Sequence, residues 1–548
     1  MKIKLLIIIL TVFLVVSCAS KESDFVFDGN GTITNYIGKS ERIVIPKSIN
    51  GVPVTAIGNE AFTTTTNEIV WEGDNLIIFK LKSVKIPNGV EKIGEMAFCD
   101  NNLTSINIPD SVTVIEYAAF ANNKIKSVKL SKNIKKIEEA LFANNEISSI
   151  KIHQGIESID ERAFSENKLK SIALPGSVKS IGQGAFCRNN LNSIEFSEGL
   201  TEIGYDAFSR NNLTSVILPD SLLHIGEQAF LDNKLKKIEI PGNVKYIGKS
   251  AFYLNQLESV VLNKGLETID DEAFGENKIN SILIPDTVIS IGNRVFFENK
   301  IKTAVISDSV QKIGESAFAV NELTSINIPS GLRVLEEGVF RENQLTSVVF
   351  QHGIIEIGEK AFYNNKIVEI DLPSTIKTIG DNAFANNLLE EVRLPVSLVT
   401  IGKFAFSKNL LEGITIPGRV SEIGDYAFAG NKLKTVVLGA GVETVGDMVF
   451  MNSDTYEYHI TKVIVRGSQT KFEGTILRNS INYEEEEYSE EKDFNEYYYE
   501  DEDIEYYDFE PSYDPADYFD SFFEYNERKP GEYTYENRKW SYKSFKEL

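Results

Sequence analysis

A phenylalanine returns every 22 residues from Phe98 to Phe450, which makes 17 copies with no change in spacing. An asparagine follows each of them three residues later, from Asn101 to Asn431, and only the last copy differs, with Ser453. A fixed period of this length is typical of a solenoid, in which each unit buries its apolar face on the next. Function is therefore expected on surfaces that many copies share.

Within each unit, counted from the phenylalanine, apolar residues stand at +5, +8, +10, +14, +17 and +21. The +8 and +10 positions alternate with polar neighbours, which predicts a strand with one buried face. Position +18 is Gly in 12 copies and Asp or Glu in five, and these residue types favour a helix N-cap. The sequence thus predicts an α/β-type solenoid of about 18 units of 22 residues, each with one parallel strand and one short helical turn.

The asparagine at +3 has a physical reason of its own, because a side-chain amide can both donate to and accept from backbone groups of a buried turn. Stacked copies would then form a ladder of amides bonded to their own and the adjacent turn. The alternative is a row of exposed turn asparagines. The residues predicted to form the ladder include Asn101, Asn123, Asn145, Asn167, Asn277 and Asn431.

The whole unit, N-x-L-x-x-I-x-I-P-x-x-V-x-x-I-G-x-x-A-F, resembles the leucine-rich repeats of the BspA-like, Treponema-type surface proteins. Residues 41–453 follow this pattern, about three quarters of the chain. The resemblance implies a leucine-rich-repeat solenoid on a bacterial surface, and several members of that family are adhesins for host matrix proteins or other cells. A shared fold does not by itself establish a shared function.

The N-terminus has the pattern of a targeting segment. Lys2 and Lys4 precede an apolar run from Leu5 to Val16, which ends in Ser17 and Cys18. This resembles a bacterial lipoprotein signal, with 1–17 removed and Cys18 carrying lipid, and it implies an extracytoplasmic, surface-exposed protein anchored in a membrane. An ordinary secretory signal with an incidental cysteine is the alternative. Residues 18–40 are read as a linker and N-terminal cap.

The C-terminal part differs in kind from the repeats. Residues 454–480 are predicted to cap the solenoid, and residues 481–548 form an acidic segment with 13 of the 22 tyrosines. That segment holds 23 Asp/Glu and 7 Lys/Arg, so it carries −16 of the formal charge of −24 and leaves −8 for the rest. High charge predicts disorder, with binding of a basic partner as the alternative. The mildly acidic body argues against nucleic acid.

Side chains at +7 and +9 of the predicted strand point away from the core. At +7, 12 of 16 copies have Ser or Thr, including Ser215, Ser259 and Ser281. At +9 the middle copies are apolar and are interrupted only by Glu239 and Asn327; the apolar residues are Ile217, Val261, Leu283, Val305 and Val349. An exposed apolar stripe indicates a binding surface, although β-branched residues also suit a strand that binds nothing.

No pattern of catalytic or metal-binding residues stands out. The four histidines lie in different copies at different offsets, and Cys99 and Cys187 are four units apart, roughly 19 Å in a stack of strands, too far for a disulfide. We therefore predict a non-enzymatic, monomeric protein without cofactor or metal, which binds a protein partner through its strand face. The resemblance implies an adhesin-like role, with a host matrix protein or another cell surface as the partner. The alternative is a structural envelope or spacer protein whose acidic segment makes the contacts.

Overall fold

The computed structural model describes residues 20–63, 70–72, 75–77, 80–351, 353–451, 460–467, 470–472, 531–536 and 539–544. Residues 1–17, Cys18 and most of the acidic C-terminal segment lie outside them. The chain divides into two compact units, Met1–Leu266 and Glu267–Leu548. Each unit is a β-solenoid of 22-residue turns, as the period predicts.

The turns share one plan, with a very short second strand at +16 and +17 and, in most of them, a first strand near +7 to +9; turns without a first strand are those at 149–151, 215–217, 369–371 and 391–393. Equivalent strands of adjacent turns pair in parallel at an offset of one period, as Ser105 does with Ser127 and Lys92 with Val114. The predicted first strand is therefore confirmed in most units, but the prediction of a single strand per unit was wrong. Two residues are too short a run to show the alternation by which a strand is recognised in sequence.

In the unit Met1–Leu266, the first strands are Arg42–Val44, Ser83–Lys85, Ser105–Asn107, Ser127–Lys129, Ser171–Ala173, Ser193–Glu195, Lys237–Ile240 and Ser259–Leu262. The second strands there are Ala56–Ile57, Lys92–Ile93, Val114–Ile115, Lys136–Ile137, Ser158–Ile159, Ser180–Ile181, Glu202–Ile203, His224–Ile225 and Tyr246–Ile247. Two small hairpins complete this unit, Ser48–Ile49 with Val52–Pro53 and Val70–Glu72 with Asn75–Ile77.

In the unit Glu267–Leu548, the first strands are Ser281–Leu283, Thr303–Val305, Ser325–Ile328, Ser347–Phe350, Gly413–Thr415, Thr435–Leu438 and Lys462–Val465. The second strands there are Thr268–Ile269, Ser290–Ile291, Lys312–Ile313, Val334–Leu335, Glu356–Ile357, Thr378–Ile379, Thr400–Ile401, Glu422–Ile423, Thr444–Val445 and Lys471–Phe472.

The predicted helical turn after +18 does not form, and within the described residues the one helical segment is the 3-10 turn Glu22–Asp24. The backbone N–H of Ala118, at +20, donates to the carbonyl oxygen of Glu139 in the next turn (3.0 Å) and not to its own turn. Ala118 has a left-handed φ of 51°, and this conformation recurs at +20 and +2 throughout. Glycine at +18 meets a close approach of stacked backbones: a Cβ on Gly226 would lie 2.6 Å from the carbonyl carbon of Gly204.

The core of each unit is a single file of phenylalanine rings. In the first unit, the rings from Phe62 to Phe252 stack with centroids 4.9–5.7 Å apart and planes within 13° of parallel. In the second unit, the rings from Phe274 to Phe450 stack at 5.2–5.8 Å. These separations are those of offset aromatic stacking, so identical residues at one period form a continuous core within a unit.

The N-terminal end is closed by residues 20–36. The strand Phe25–Phe27 pairs antiparallel with Thr32–Tyr36. Phe25 and Tyr36 are buried, and their rings lie 6.2 Å and 5.7 Å from that of Phe62, the first ring of the file. The hydroxyl oxygen of Ser20 accepts the backbone N–H of Val44 (3.0 Å). The part of the chain that the structure describes therefore reaches to two residues after Cys18.

The C-terminal end is closed by a hairpin from the region that the sequence predicted to be disordered. The strand Gly531–Glu536 pairs antiparallel with Lys462–Val465, and Lys539–Ser544 pairs antiparallel with it in turn. The prediction of disorder was therefore wrong for these two segments, while residues 473–530 lie outside the described part. Alternating aromatic residues explain the strands, since the register sets Tyr533 opposite Tyr542 and Tyr535 opposite Trp540.

Candidate binding face

The outward side chains of the first strands, at +7 and +9, form what we call the strand face. In the strand Ser281–Leu283, the central Ile282 is 4% exposed, whereas Ser281 and Leu283 on either side point to solvent. The alternation that the sequence predicted is therefore present. It decides which side chains a partner can reach.

Two aliphatic residues of the strand face are direct neighbours in the second unit. The register pairs Leu283 with Val305 and Ser281 with Thr303. Leu283 is 63% exposed and Val305 is 60% exposed. These two side chains and the two hydroxyls beside them form an apolar patch with a polar border on adjacent strands. Exposed apolar patches of this kind are typical of interaction sites.

The remaining predicted apolar residues are exposed but separated by polar ones. Val349 stands beside Asn327 in the ladder, and Val261 stands beside Glu239. Ile217 is 85% exposed, and Ser215 and Ser259 are exposed as well. Within a unit, the structure therefore places Leu283 and Val305 side by side in the ladder, whereas Val261 and Val349 each have a polar ladder partner. Ile217 lies outside the assigned strands.

Strand propensity alone does not require an aliphatic residue at +9. The same outward position holds Asn107, Lys129 and Glu195 in other turns, each at the end of a three-residue first strand that pairs in parallel with the equivalent strand of an adjacent turn. The strand thus forms with polar residues there. Strand propensity therefore does not explain why Leu283 and Val305 are aliphatic.

A groove of about 430 Å³ opens on the strand face of the second unit around Gly413. Its lining includes Glu391, Arg393, Val396 and Thr435. Gly413 is the one glycine among the 16 copies of +7 that lie between Phe98 and Phe450. The groove was not predicted from the sequence, because it lies where Gly413 has no side chain. The lone glycine in a column of Ser and Thr was the signal that could have revealed it.

The side chains of the repeat asparagines make hydrogen bonds to backbone groups inside the fold. The amide nitrogen of Asn167 donates to the carbonyl oxygens of Phe142, Phe164 and Ser165 at 2.8, 3.2 and 3.2 Å. Its carbonyl oxygen accepts the backbone N–H of Ile147 (3.0 Å). The same bonds to the preceding turn are made by Asn101, Asn123, Asn145 and Asn431, and Asn277 bonds to its own turn at Phe274 and Gly275. Buried and fully bonded, these amides are not offered to a ligand.

Reactive chemistry has little support in the geometry. Cys99 and Cys187 are free and buried, and burial raises the pKa of each thiol to about 11, so the thiolate is scarce near neutral pH. His153 bonds through its ring to the carbonyl oxygen of Ser131 (3.0 Å). The part of the chain that the structure describes holds no group of three or more His, Cys, Asp or Glu side chains placed to bind a metal ion.

One observation bears on helices that could cross a membrane. Among the described residues, no helix has the length and apolar character needed to cross a membrane. Cys18, the predicted lipid attachment site, lies outside those residues.

The parallel turns, the buried asparagine at a fixed position and the leucine or isoleucine two residues after it define a leucine-rich-repeat solenoid protein. A family model described as "BspA type Leucine rich repeat region" matches residues 78–190, 157–278, 247–366 and 335–457. The chain therefore belongs to the BspA-type leucine-rich repeat family. No curated protein matches it.

Several solved structures are similar to the chain. A leucine-rich repeat protein from Bacteroides ovatus is 21% identical, with a TM-score of 0.36, over 82% of this chain and 97% of its own. One from Eubacterium ventriosum is 23% identical, with a TM-score of 0.37, over 52% and 83%. A leucine rich cell surface protein from Faecalibacterium prausnitzii is 21% identical, with a TM-score of 0.30, over 77% and 88%.

Proposed function

We propose that this chain is a non-enzymatic bacterial surface protein that binds a protein partner through the strand face of its solenoid. The observation that carries the proposal is the pair Leu283 and Val305, adjacent in the ladder and both more than half exposed. Membership of the BspA-type family supports an extracytoplasmic setting. A host matrix protein or another cell surface is the class of partner we propose.

Burial of apolar surface supplies the free energy of binding. Covering an exposed Leu or Val side chain removes apolar surface from water and contributes about 1 kcal/mol or more for each residue. The hydroxyls of Ser281 and Thr303 can bond to a partner at the border of the patch. The exposed Val349, in the same unit, would add a further contact along the face. Solenoids bind in this way, through many modest contacts on an extended surface.

We also propose that lipid on Cys18 holds the protein at a membrane. Because the bond from Val44 to Ser20 fixes the chain two residues later, the lipidated cysteine would lie within about 7 Å of the folded cap. A Cys18→Ser variant should leave the membrane fraction, whereas Cys99→Ser, at a buried cysteine, should remain in it. Equal membrane association of both variants would refute the anchor.

A second candidate is a structural spacer whose acidic segment makes the contacts. The C-terminal hairpin constrains how this is tested, because deleting 481–548 would also remove the strands that pair with Lys462–Val465. Replacing 481–530 with a Gly/Ser linker of equal length keeps the hairpin. If partner capture disappears with that replacement, the acidic segment is the contact and the strand face is not.

The test of the main proposal is capture of matrix proteins and cell-surface fractions by the immobilised full chain. The variant Val261→Asp/Leu283→Asp/Val305→Asp should lose capture while it keeps its thermal unfolding transition. A matched control places aspartate at the same strand position where the chain is already polar, as in Asn107→Asp/Lys129→Asp, and should capture as the unchanged chain does. Undiminished capture by the first variant would refute the proposal.

A further inference from the structure

The groove at Gly413 is formed by the absence of one side chain. In three successive turns, position +7 holds Glu391, Gly413 and Thr435, and Gly413 pairs with Thr435 in the ladder. Two strand spacings, about 10 Å, therefore separate the side chains on either side of the gap. Val396, Pro417 and Val437 give the groove an apolar wall, and Val396 is 77% exposed.

The backbone does not require glycine at this place. A Cβ on Gly413 would come no closer than 3.5 Å to the carbonyl oxygen of Thr435, an ordinary contact. By contrast, a Cβ on Gly424 would lie 2.5 Å from the backbone nitrogen of Lys403. Glycine weakens a strand because it loses more conformational freedom on folding. Gly413 thus lowers the stability of its turn without a steric reason, which indicates a role for the open space.

Carboxylates outnumber cations around the groove. Glu391 lies in the lining and is exposed. Glu369 holds the same +7 position one turn earlier, and the bond from the N–H of Glu390 to the carbonyl oxygen of Val368 (3.3 Å) keeps these turns in register. The exposed carboxylates here are Glu369, Asp371 and Glu391 on the strand face and Glu390 and Glu412 beside it, at +6. They outnumber the cations Arg393, Lys434 and Lys462; Lys434 is paired with Glu412 at 3.1 Å, and Lys462 stands beside Thr435 in the ladder.

We propose that the groove at Gly413 is a side-chain pocket for an extended segment of the partner protein, and that it takes one aliphatic side chain with lysine beside it. The aliphatic group fills the gap left at Gly413 and contacts Val396, Pro417 and Val437. The flanking ammonium groups face Glu391 and the neighbouring carboxylates. This inference rests on the proposed function and adds the chemistry of the segment recognised.

The test uses the full chain and three fluorescein-labelled heptapeptides, Ser-Thr-Lys-Leu-Lys-Thr-Ser, the same peptide with glycine for leucine, and the same peptide with glutamate for both lysines. Fluorescence polarisation should give the leucine–lysine peptide an affinity about tenfold above either of the others, because one buried aliphatic group accounts for a difference of that order. Equal affinity for the glycine peptide would mean that charge alone binds, and it would overturn the proposal, as would a lack of saturable binding.

Gly413→Ser places in the groove the residue most common at +7. It should keep or raise the unfolding temperature and lower the affinity for the leucine–lysine peptide about tenfold. Gly418→Ser is the matched control, because its Cβ would likewise meet no close contact, the nearest atom lying 3.9 Å away, and because Gly418 does not line the groove. Unchanged peptide affinity in Gly413→Ser would overturn the pocket. If the variant Val261→Asp/Leu283→Asp/Val305→Asp loses partner capture while Gly413→Ser keeps its peptide affinity, the proposed function stands and the pocket is refuted.

Discussion

The amide nitrogen of Asn123 donates to the carbonyl oxygen of Phe98, 2.9 Å away in the preceding turn. The carbonyl oxygen of the same side chain accepts the backbone N–H of Leu103, also in the preceding turn, at 3.0 Å. One buried side chain therefore satisfies a backbone donor and a backbone acceptor of its neighbour. This relationship, repeated at the 22-residue period, locks successive turns in register and so aligns the strand face.

Removing one such amide should be costly. Asn189→Ala would leave the carbonyl oxygen of Phe164 and the N–H of Leu169 without the bonds that they now make at 2.8 and 3.0 Å. Buried polar groups without partners cost about 1–3 kcal/mol each, so we expect the free energy of unfolding to fall by about 3 kcal/mol. Urea unfolding followed by circular dichroism measures it. Asn190→Ala, at the exposed next residue, should change it little; equal losses would contradict the buried role.

The left-handed position at +2 offers a stabilising change. Val320 occupies it with a φ of 55°, whereas Asn364 has the same φ in a later turn. A β-branched residue is strained in this conformation and asparagine tolerates it. Val320→Asn should therefore raise the free energy of unfolding by about 1 kcal/mol, and Asn364→Val should lower it by a similar amount. A loss of stability in Val320→Asn, measured by thermal unfolding, would contradict this explanation.

The C-terminal hairpin should protect the edge of the sheet. Ending the chain at residue 530 removes the strand Gly531–Glu536 from Lys462–Val465, and an unpaired edge strand exchanges its amides and invites other strands. Hydrogen–deuterium exchange should rise at Lys462–Val465 and change little at Thr435–Leu438, which pairs on both sides without the hairpin. Light scattering should detect larger species in the shortened chain. Unchanged exchange at 462–465 would show that the hairpin does not cover this edge.

Acid should remove the contribution of Asp425. The backbone N–H of Asp447 and the ammonium of Lys403 hold the pKa of this carboxyl below its ordinary value of 3.8. A lowered pKa means stability that is present above pH 3.8 and is lost as the pH falls through the lower folded-state value. Asp425→Ala should therefore be less stable than the unchanged chain at pH 7, and the difference should shrink in acid below pH 3.8.

Asp425→Asn serves as the control, because it keeps an acceptor for the N–H of Asp447 and loses only the charge. Its stability should lie between the other two at pH 7, as measured by urea unfolding across the pH series. A difference between Asp425→Ala and the unchanged chain that stayed constant from pH 7 to pH 2 would contradict the assigned cause.

Period and alternation were enough to predict the solenoid, the first strands and the outward direction of Leu283 and Val305. The second strands and the turns after +18 were not predictable in the same way. Glycine at +18, as in Gly226, is suited to an N-cap and to a close backbone contact alike, and only the stacked neighbour Gly204 shows that the close contact is the reason. The hairpin at 531–544 was hidden because acidic composition outweighed a short aromatic alternation. The groove was hidden because Gly413 contributes space and no group.

Hydroxyl-radical footprinting of the chain with its captured partner tests the binding face most directly. Leu283 and Val305 are exposed on the strand face, and Ile289, 46% exposed just before the second strand Ser290–Ile291, is a built-in control. Strand-face binding predicts that oxidation of Leu283 and Val305 falls in the complex while that of Ile289 does not. Protection of Ile289 with Leu283 and Val305 still oxidised would contradict it.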